Sequence, residues 1–262
     1  MRRVQRFCRR FDLGYKRMLG AYTLKGYIIY KIINPFFLML FFCMLASYVY
    51  GEENITKYVI GNAMLMCSFS AFFGVGQIFI GERFQGTLEI IISSPTNAIF
   101  IIIPQVVIFV VDSILSVFIG FLTGYLFFGF VISYEQLVWF LFISLVGIFS
   151  AMGFGLVIGV FALLTRDINL LLNIVSMALL AFSGAEFDLE LLPFNLEYIG
   201  KLLPLTRSIE ALRILNSGGT AMEFMPIVWN EIIIGASFFV FGFLIYRQIE
   251  KKAVQYGTLS MH

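Results

Sequence analysis

Long apolar runs constrain the fold of this chain more than any other feature. Six runs of about span length carry few charges, and they cover about 32–50, 59–80, 104–129, 137–164, 168–185 and 228–246. A helix needs about 20 apolar residues to cross the hydrocarbon core of a bilayer. The runs are too long and too continuously apolar for the strands of a membrane barrel. The sequence therefore predicts an all-α polytopic membrane protein with six transmembrane helices.

The basic residues are unevenly distributed and predict the orientation of the chain. Eight of the eighteen Lys and Arg residues lie in the first 25 positions. With both ends of the chain inside, the outer loops would hold four: Lys57, Lys201, Arg207 and Arg213. Lys and Arg close to a span resist translocation, so we predict a multi-pass protein of the cell membrane with both termini cytoplasmic. The net charge of +2 is too small to indicate a nucleic-acid partner.

The first 27 residues have the pattern of a basic amphipathic helix. Large apolar side chains recur at helical spacing, at Phe7, Phe11, Tyr15, Met18 and Tyr22, and most of the basic residues fall off this stripe. Such a helix lies in the inner interface with its apolar side against the membrane lipids. The alternative is a disordered basic arm that only sets the topology.

Two parts of the chain do not read as simple spans. The third apolar run extends over 98–130 and is too long for one upright helix, so Pro104 is predicted to separate a short entry segment from the third span. The segment 186–227 alternates apolar blocks with Pro193 and Pro204 and is too broken to span. It is predicted to form one or two short helices on the outer side. They are either re-entrant or a surface domain of two amphipathic helices.

The loop at 81–95, between the second and third spans, carries the strongest functional pattern. Glu82, Gly86 and Glu89 are spaced i, i+4 and i+7 and therefore share one face of a helix. Ser94 before Pro95 marks the predicted end of that helix. Two acids and a glycine on one cytoplasmic stripe offer a surface that a partner can approach closely. The alternative is an ordinary amphipathic loop helix.

The same loop resembles a known family signature. Its sequence runs Glu82-Arg83-x-x-Gly86-Thr87-Leu88-Glu89, with Ser94-Pro95 after it. This string is similar to the signature of the type-2 ABC exporter permeases, especially their drug, antibiotic and lantibiotic branch. The stretch 202–213 is similar to the segment that these permeases carry before their last span, which favours the re-entrant form of 186–227. The resemblance implies a coupling helix at 81–95 that docks on an ATPase through Glu82, Arg83, Gln85, Gly86, Thr87, Leu88 and Glu89.

The resemblance also implies partners. The chain has no G-x-x-x-x-G-K-[ST] sequence to hold ATP phosphates, so hydrolysis would occur on separate subunits. Two ABC ATPase subunits, carrying ATP and Mg, would work with this chain and with a second permease copy or a homologous permease; no cofactor is expected in this chain. The cargo would be amphiphilic: a drug, antibiotic, peptide or lipid-linked molecule. Arg166 and Asp167, in a short cytoplasmic turn, are a candidate second contact for the ATPase.

One acid lies inside a predicted span. Asp112 falls in the third span, where a carboxyl is costly enough to indicate function. The alternative is an acid near the inner interface, hydrogen-bonded to neighbours such as Asn34 or Gln105. Asp112 also supports a rival function, a proton-coupled secondary carrier, although such a carrier predicts charge pairs buried in several spans. An enzyme is not indicated, because the one histidine, His262, is the last residue and neither a metal site nor a catalytic triad is predicted.

Other polar residues interrupt the apolar runs. Asn62 and Gln77 in the second span, and Asn173 in the fifth, are predicted interhelical hydrogen-bond partners. A polar lining for the cargo pathway is the alternative. Glu231 lies about one turn into the last span beside Trp229, and an aromatic residue of this kind marks a membrane interface. Glu231 is therefore predicted to lie at the outer interface or at a pore mouth, and a buried site is the alternative.

Overall fold

The computed structural model describes residues 24–51, 54–84, 99–162, 168–187, 189–191 and 196–256. Over these ranges the chain is helical and forms no strand, in agreement with the predicted all-α class. The α-helices in chain order are α1 (Leu24–Ile28), α2 (Asn34–Tyr50), α3 (Ile55–Phe84), α4 (Ile99–Phe128), α5 (Leu137–Ala162), α6 (Ile168–Phe182), α7 (Glu197–Leu202), α8 (Thr206–Asn216) and α9 (Ala221–Tyr256). A π-helical turn at Ile29–Ile33 joins α1 to α2, and a 3-10 turn at Leu189–Leu191 precedes α7. The predicted interfacial helix at 1–27 lies outside the described residues up to position 23.

Five helical stretches in the described part of the chain are long and apolar enough to cross a membrane. They are Lys25–Tyr50, Ile55–Ile78, Gln105–Phe128, Leu137–Phe161 and Ala221–Ile249. The predicted fifth span, at 168–185, corresponds to α6, which has 15 residues. At 1.5 Å per residue α6 is about 22 Å long, shorter than the roughly 30 Å hydrocarbon core. Five of the six predicted spans are therefore full-length helices, and a sixth crossing stays a prediction.

Two prolines are accommodated inside long helices. α4 begins at Ile99 and continues through Pro104 without a break in the helix, and the stretch long and apolar enough to span, Gln105–Phe128, begins directly after this proline. α9 likewise begins at Ala221 and continues through Pro226 to Tyr256, beyond the predicted 228–246 at both ends. Proline removes one backbone donor and fixes a φ that suits a helix. Neighbouring groups in membrane helices satisfy the freed carbonyl, which explains why neither proline ends its helix.

α3 lies at the centre of the bundle. α4 and α5 pack along it, α9 packs on α5, and α2 packs on α3 and α4. Small residues allow the backbones to approach closely. A Cβ placed on Gly120 of α4 would lie 2.9 Å from the Cα of Ala63, and one placed on Gly155 of α5 would lie 2.8 Å from the backbone oxygen of Phe72. Tight packing of this kind drives helix association in lipid, where apolar burial contributes little.

Short helices cover one end of the bundle. We call this the outer end, because the sequence predicts that the turns at 129–136 and the segment 183–220 lie outside. α8 packs on α9, α5 and α3, and it buries Ile209, Ala211 and Leu212. α7 packs against the end of α6. It is joined to α8 by Thr206, whose Oγ1 donates to the backbone oxygen of Gly200 at 2.8 Å. The segment predicted to be too broken to span therefore forms a layer of short helices.

Candidate functional site

The predicted coupling segment begins on the central helix. Glu82 and Arg83 lie in the last turn of α3, which ends at Phe84. The 30 residues of α3 give a length of about 45 Å, which exceeds the roughly 30 Å hydrocarbon core. The last turns of α3 therefore extend beyond the membrane interior. The remaining predicted contacts lie outside the described residues, namely Gln85, Gly86, Thr87, Leu88, Glu89, Arg166 and Asp167.

Asp112, the acid predicted inside the third span, is buried and has two partners. Its side chain is 4 % exposed, and Lys31 Nζ lies 2.9 Å from Oδ2, an ion-pair contact although it lacks hydrogen-bond geometry. The hydroxyl of Tyr27 donates to Oδ1 at 3.0 Å. The sequence suggested Asn34 or Gln105 as neighbours, whereas the contacts found on the carboxylate come from Tyr27 and Lys31. This cluster joins the start of the first span to the inner half of α4.

The local backbone explains how both partners reach Asp112. Tyr27 and Lys31 are four residues apart, so they lie on the same face of a helix. Lys31 lies in the π-helical turn at Ile29–Ile33. Such turns are rare and occur frequently at functional sites. The first span is therefore fixed to α4 by a charged contact at the point where its helix is irregular.

The predicted pathway residues separate into two groups. Asn62 is buried and donates to the backbone oxygen of Tyr58 at 3.0 Å, a bond within α3. Gln77 and Asn173 are exposed on the single chain. They flank the crossing of α3 and α6, because a Cβ placed on Gly76 would lie 3.1 Å from the Leu172 side chain. Gln77 and Asn173 therefore lie near the crossing of α3 and α6, on a surface that the described residues leave uncovered.

Glu186 forms a second carboxylate cluster, at the outer end. It is 8 % exposed, and its Oε1 has no hydrogen-bond partner among the described residues. Burial raises the pKa of Glu186 from the ordinary 4.5 to about 7, while Asn62 and the charge of Arg213 act in the opposite direction. Arg213 also donates at 3.3 Å to the backbone oxygens of Lys57 and Ala185. Glu186 is thus enclosed by α3, α8 and the turn after α6.

Glu231 forms a third cluster and is fully buried, at 0 % exposed. Its Oε1 accepts the backbone N–H of Leu205 at 2.6 Å, directly before α8. Leu205 has a φ of 81°, which a non-glycine residue adopts only at a cost of about 1–3 kcal/mol. A hydrogen bond contributes a similar amount, about 0.5–1.5 kcal/mol. The prediction that Glu231 lies at the interface or a pore mouth is therefore wrong, because α8 covers it.

The family described as ABC-2 type transporter matches residues 13–216, well over half of the chain. The chain belongs to the ABC-2 type transporter family. No curated protein matches it significantly. Membrane subunits of the ABC-2 family are transport components that are generally not catalytic themselves and that work with ABC ATPases. The chain is therefore a membrane-embedded transport permease.

Sequence reasoning identified only part of the polar interior of this ABC-2 permease. It selected Asp112 but not Tyr27 and Lys31, although their i, i+4 spacing was a usable indication of a shared partner. Glu186 follows a turn and Arg213 lies on a separate short helix, so no spacing connects them in the sequence. Their proximity results from the packing of α8 on α3. The outer carboxylates are therefore findings of the structure.

Proposed function

We propose that this chain is the membrane-spanning permease of an ATP-driven ABC exporter that moves an amphiphilic cargo out of the cytoplasm. One observation carries the proposal: the helix that ends in the predicted docking residues Glu82 and Arg83 is also the central helix of the bundle. A force applied by an ATPase at this end would act directly on α4 and α5, which pack along α3.

The geometry of α3 suits the transmission of such a force. The helix is unbroken from Ile55 to Phe84, and close backbone contacts at Gly120 and Gly155 couple it to its neighbours. Packed interiors respond to a displacement as a unit because they contain few voids. Closure of the ATPases around nucleotide would thus displace the predicted coupling helix at 81–95 and rock the spans toward an outward-open state.

The cargo pathway is proposed to lie between this chain and a second permease, either another copy or a homologous chain. Gln77 and Asn173 support this arrangement, because they lie on a surface of α3 and α6 that no described part of the chain covers. Polar side chains within spans rarely face lipid and mostly face the bundle interior or a water-filled cavity. A partner permease on this face would enclose them, and they would then line the pathway.

The remaining partners follow from the absence of a P-loop in the sequence. Two ABC ATPase subunits would bind ATP and Mg on the cytoplasmic side, with the segment at 81–95 as their main contact and Arg166 and Asp167 as a smaller one. Both termini would then be cytoplasmic and the chain would lie in the cell membrane. The rival proton-coupled carrier gains no support at Asp112, because Lys31 already neutralises its charge.

The docking segment is tested by two substitutions, Gly86→Trp and Glu89→Lys. Gly86→Trp blocks close approach by its bulk, and Glu89→Lys places a cation where the resemblance implies an acid against the ATPase. Disrupting a desolvated charge contact costs about 2–5 kcal/mol. The measurements are co-purification with the partner ATPase, sought first in the neighbouring gene, and ATP hydrolysis by the complex in lipid vesicles. We expect both variants to lose permease-stimulated hydrolysis and at least one to co-purify poorly.

Glu135→Lys is the matched control, because it makes the same charge reversal on an exposed turn at the outer end. It should bind and couple like the parent chain. Gly86→Ala adds a single methyl and should lose less than Gly86→Trp. If Gly86→Trp and Glu89→Lys both bound and stimulated the ATPase normally, the segment at 81–95 would not be the coupling helix.

A further inference from the structure

A seam of unpaired polar groups lies beneath the N-terminal half of α8. It consists of Glu231 of α9, Ser150 of α5, and Arg207 and Ser208 of α8. Glu231 Oε2, Arg207 Nη1 and the two serine hydroxyls are buried and have no hydrogen-bond partner among the described residues. Ser150 and Arg207 lie close enough to act on the Glu231 carboxylate, although neither meets hydrogen-bond geometry with Oε2. We call these four residues the polar seam.

The two ends of α8 are held differently. Near its C-terminal end, Gln136 Nε2 donates to the backbone oxygen of Leu215 at 2.9 Å, and Arg213 donates to the backbone oxygens of Lys57 and Ala185. At the N-terminal end, the contact with α9 is the 2.6 Å bond from the Leu205 N–H to Glu231. The C-terminal end is thus tied to three separate parts of the fold. At the N-terminal end, Thr206 Oγ1 bonds to Gly200 of α7, another short helix of the outer layer, and Glu231 supplies the polar contact with the long helix α9.

The surface beneath α8 is rigid by comparison. A Cβ placed on Gly235 of α9 would lie 2.9 Å from the Cα of Ser150, and one on Gly153 of α5 would lie 2.7 Å from the backbone oxygen of Gly235. Such close backbone contact leaves no room for α5 and α9 to slide past each other. A movement at the polar seam is therefore a movement of α8 relative to a fixed pair of helices.

Hydration favours an opening at this seam over one at the close backbone contacts of α3. Buried polar groups without partners are unfavourable, and water that reaches them supplies the missing hydrogen bonds. The contacts between α3 and its neighbours at Gly120 and Gly155 are made by backbone and apolar atoms, so water gains nothing by entering there. At the polar seam, by contrast, separation is partly compensated by hydration.

We propose that Glu231 is the positioning residue that holds α8 closed over the outer end, and that the N-terminal end of α8 swings outward about its C-terminal end in each transport cycle. This inference rests on the proposed function, because ATP binding by a partner would drive the swing. In the closed state Glu231 holds the Leu205 N–H. In the open state water reaches Ser208, Ser150 and the carboxylate.

Cysteine accessibility tests the swing directly. Ser208 is 0 % exposed, so Ser208→Cys should react slowly with a polar maleimide when the full chain, with its ATPase, is held in lipid nanodiscs without nucleotide. ATP with vanadate, which traps the ATPases closed, should accelerate the labelling. Ser113→Cys is the matched buried control at 0 % exposed in α4 and should stay unlabelled in both conditions. Ser217→Cys, on the exposed end of α8, should label quickly in both.

Substitution of Glu231 tests whether this residue holds α8 closed, and the test does not need the ATPase. In the Ser208→Cys background, Glu231→Leu should make labelling fast even without nucleotide, because the Leu205 N–H loses its acceptor. Glu231→Gln keeps an acceptor oxygen of the same shape and should restore slow labelling. Labelling of the parent chain, which has three native cysteines, measures the background.

The outcomes separate this inference from the proposed function. If the complex hydrolyses ATP while Ser208→Cys stays protected throughout, α8 does not open and the inference fails alone. Equal labelling rates in the Glu231→Leu and parent backgrounds would likewise show that Glu231 does not hold α8. If the chain neither binds nor stimulates an ATPase, the proposed function fails, and the nucleotide-free comparison of Glu231→Leu with Glu231→Gln still decides the role of Glu231.

Discussion

The buried carboxylates in the inner half of this permease and those at its outer end have different surroundings. In the inner half, Asp112 has the Tyr27 hydroxyl 3.0 Å from one oxygen and Lys31 Nζ 2.9 Å from the other. At the outer end, Glu186 and Glu231 each keep one oxygen without a hydrogen-bond partner among the described residues. Asp112 Oδ2 likewise lacks hydrogen-bond geometry, but a cation lies 2.9 Å from it, so the inner cluster is compensated in charge.

The difference indicates how the two regions contribute to a transport cycle. A buried acid with an adjacent cation is stable as it stands, and removing either partner is costly. A buried acid with unused hydrogen-bonding capacity gains from rearrangement or from water. The inner cluster therefore suits a permanent joint between the first span and α4, whereas the outer clusters suit an interface that changes.

The largest expected effect comes from breaking the inner ion pair. Lys31→Met leaves Asp112 buried without its cation and should destabilise the chain by about 3–5 kcal/mol. Lys201→Met is the matched control, because Lys201 pairs with Glu197 at 3.2 Å on the surface with a side chain 53 % exposed. Loss of an exposed pair costs about 0–1 kcal/mol. Reversible unfolding in mixed detergent micelles measures both.

A double substitution sharpens this result. Lys31→Met combined with Asp112→Leu removes both charges, so it should cost less than the sum of the two single changes. Additive losses would show that the two side chains do not interact in the membrane. If Lys31→Met and Lys201→Met lowered the free energy of unfolding equally, the buried ion pair of Asp112 would contribute no more than an exposed one.

The next effect is a pH dependence at the outer end. The folded chain raises the pKa of Glu186 to about 7 from the ordinary 4.5, so the folded state holds the proton more tightly than the unfolded state. Protonation of Glu186 therefore contributes to the free energy of unfolding. This contribution is complete below about pH 4.5 and is lost as the pH rises through about 7. Between these two pH values the free energy of unfolding falls by about 3 kcal/mol at most.

Glu186→Gln removes this dependence because the amide stays neutral. We expect the variant to match the parent chain near pH 4.5 and to be more stable than it above pH 7, when unfolding is followed across that range. Glu190→Gln makes the same change at an exposed position and should leave the parent's pH curve unaltered. Parallel curves for the parent and Glu186→Gln would mean that the carboxyl titrates normally.

The smallest expected effect concerns the tight contact of α5 with α3. Gly155→Ala places a methyl 2.8 Å from the backbone oxygen of Phe72 and should cost about 1–3 kcal/mol, because overpacked backbone contacts relax poorly. Gly81→Ala, where a Cβ meets nothing within 4 Å, should instead stabilise α3 by about 0.5–1 kcal/mol. If Gly155→Ala were as stable as the parent chain, α5 and α3 would separate easily, and the centre of the bundle would not be rigid.

The sequence predicted the helical class and the positions of five long spans, because the length of an apolar run is a local property that the bilayer imposes. At Pro104 the helix continues despite the local tendency of proline to end one, and the spanning stretch Gln105–Phe128 begins directly after it. The sequence selected Asp112 correctly as a buried acid and placed Glu231 wrongly. Trp229 beside it indicated an interface, but α8 folds over that position and excludes solvent.

By itself the sequence determined that this chain is a membrane permease with a distinctive loop after its second span, since hydropathy, charge bias and a contiguous motif are all read along the chain. Only the tertiary structure decided which polar groups meet. Lys31 reaches Asp112 because the first span packs on α4, and Glu231 reaches Leu205 because α8 packs on α9. Within a bilayer every span is apolar on most of its surface, so hydropathy cannot specify which helices become neighbours. That choice depends on where small residues permit close approach and where buried charges find partners.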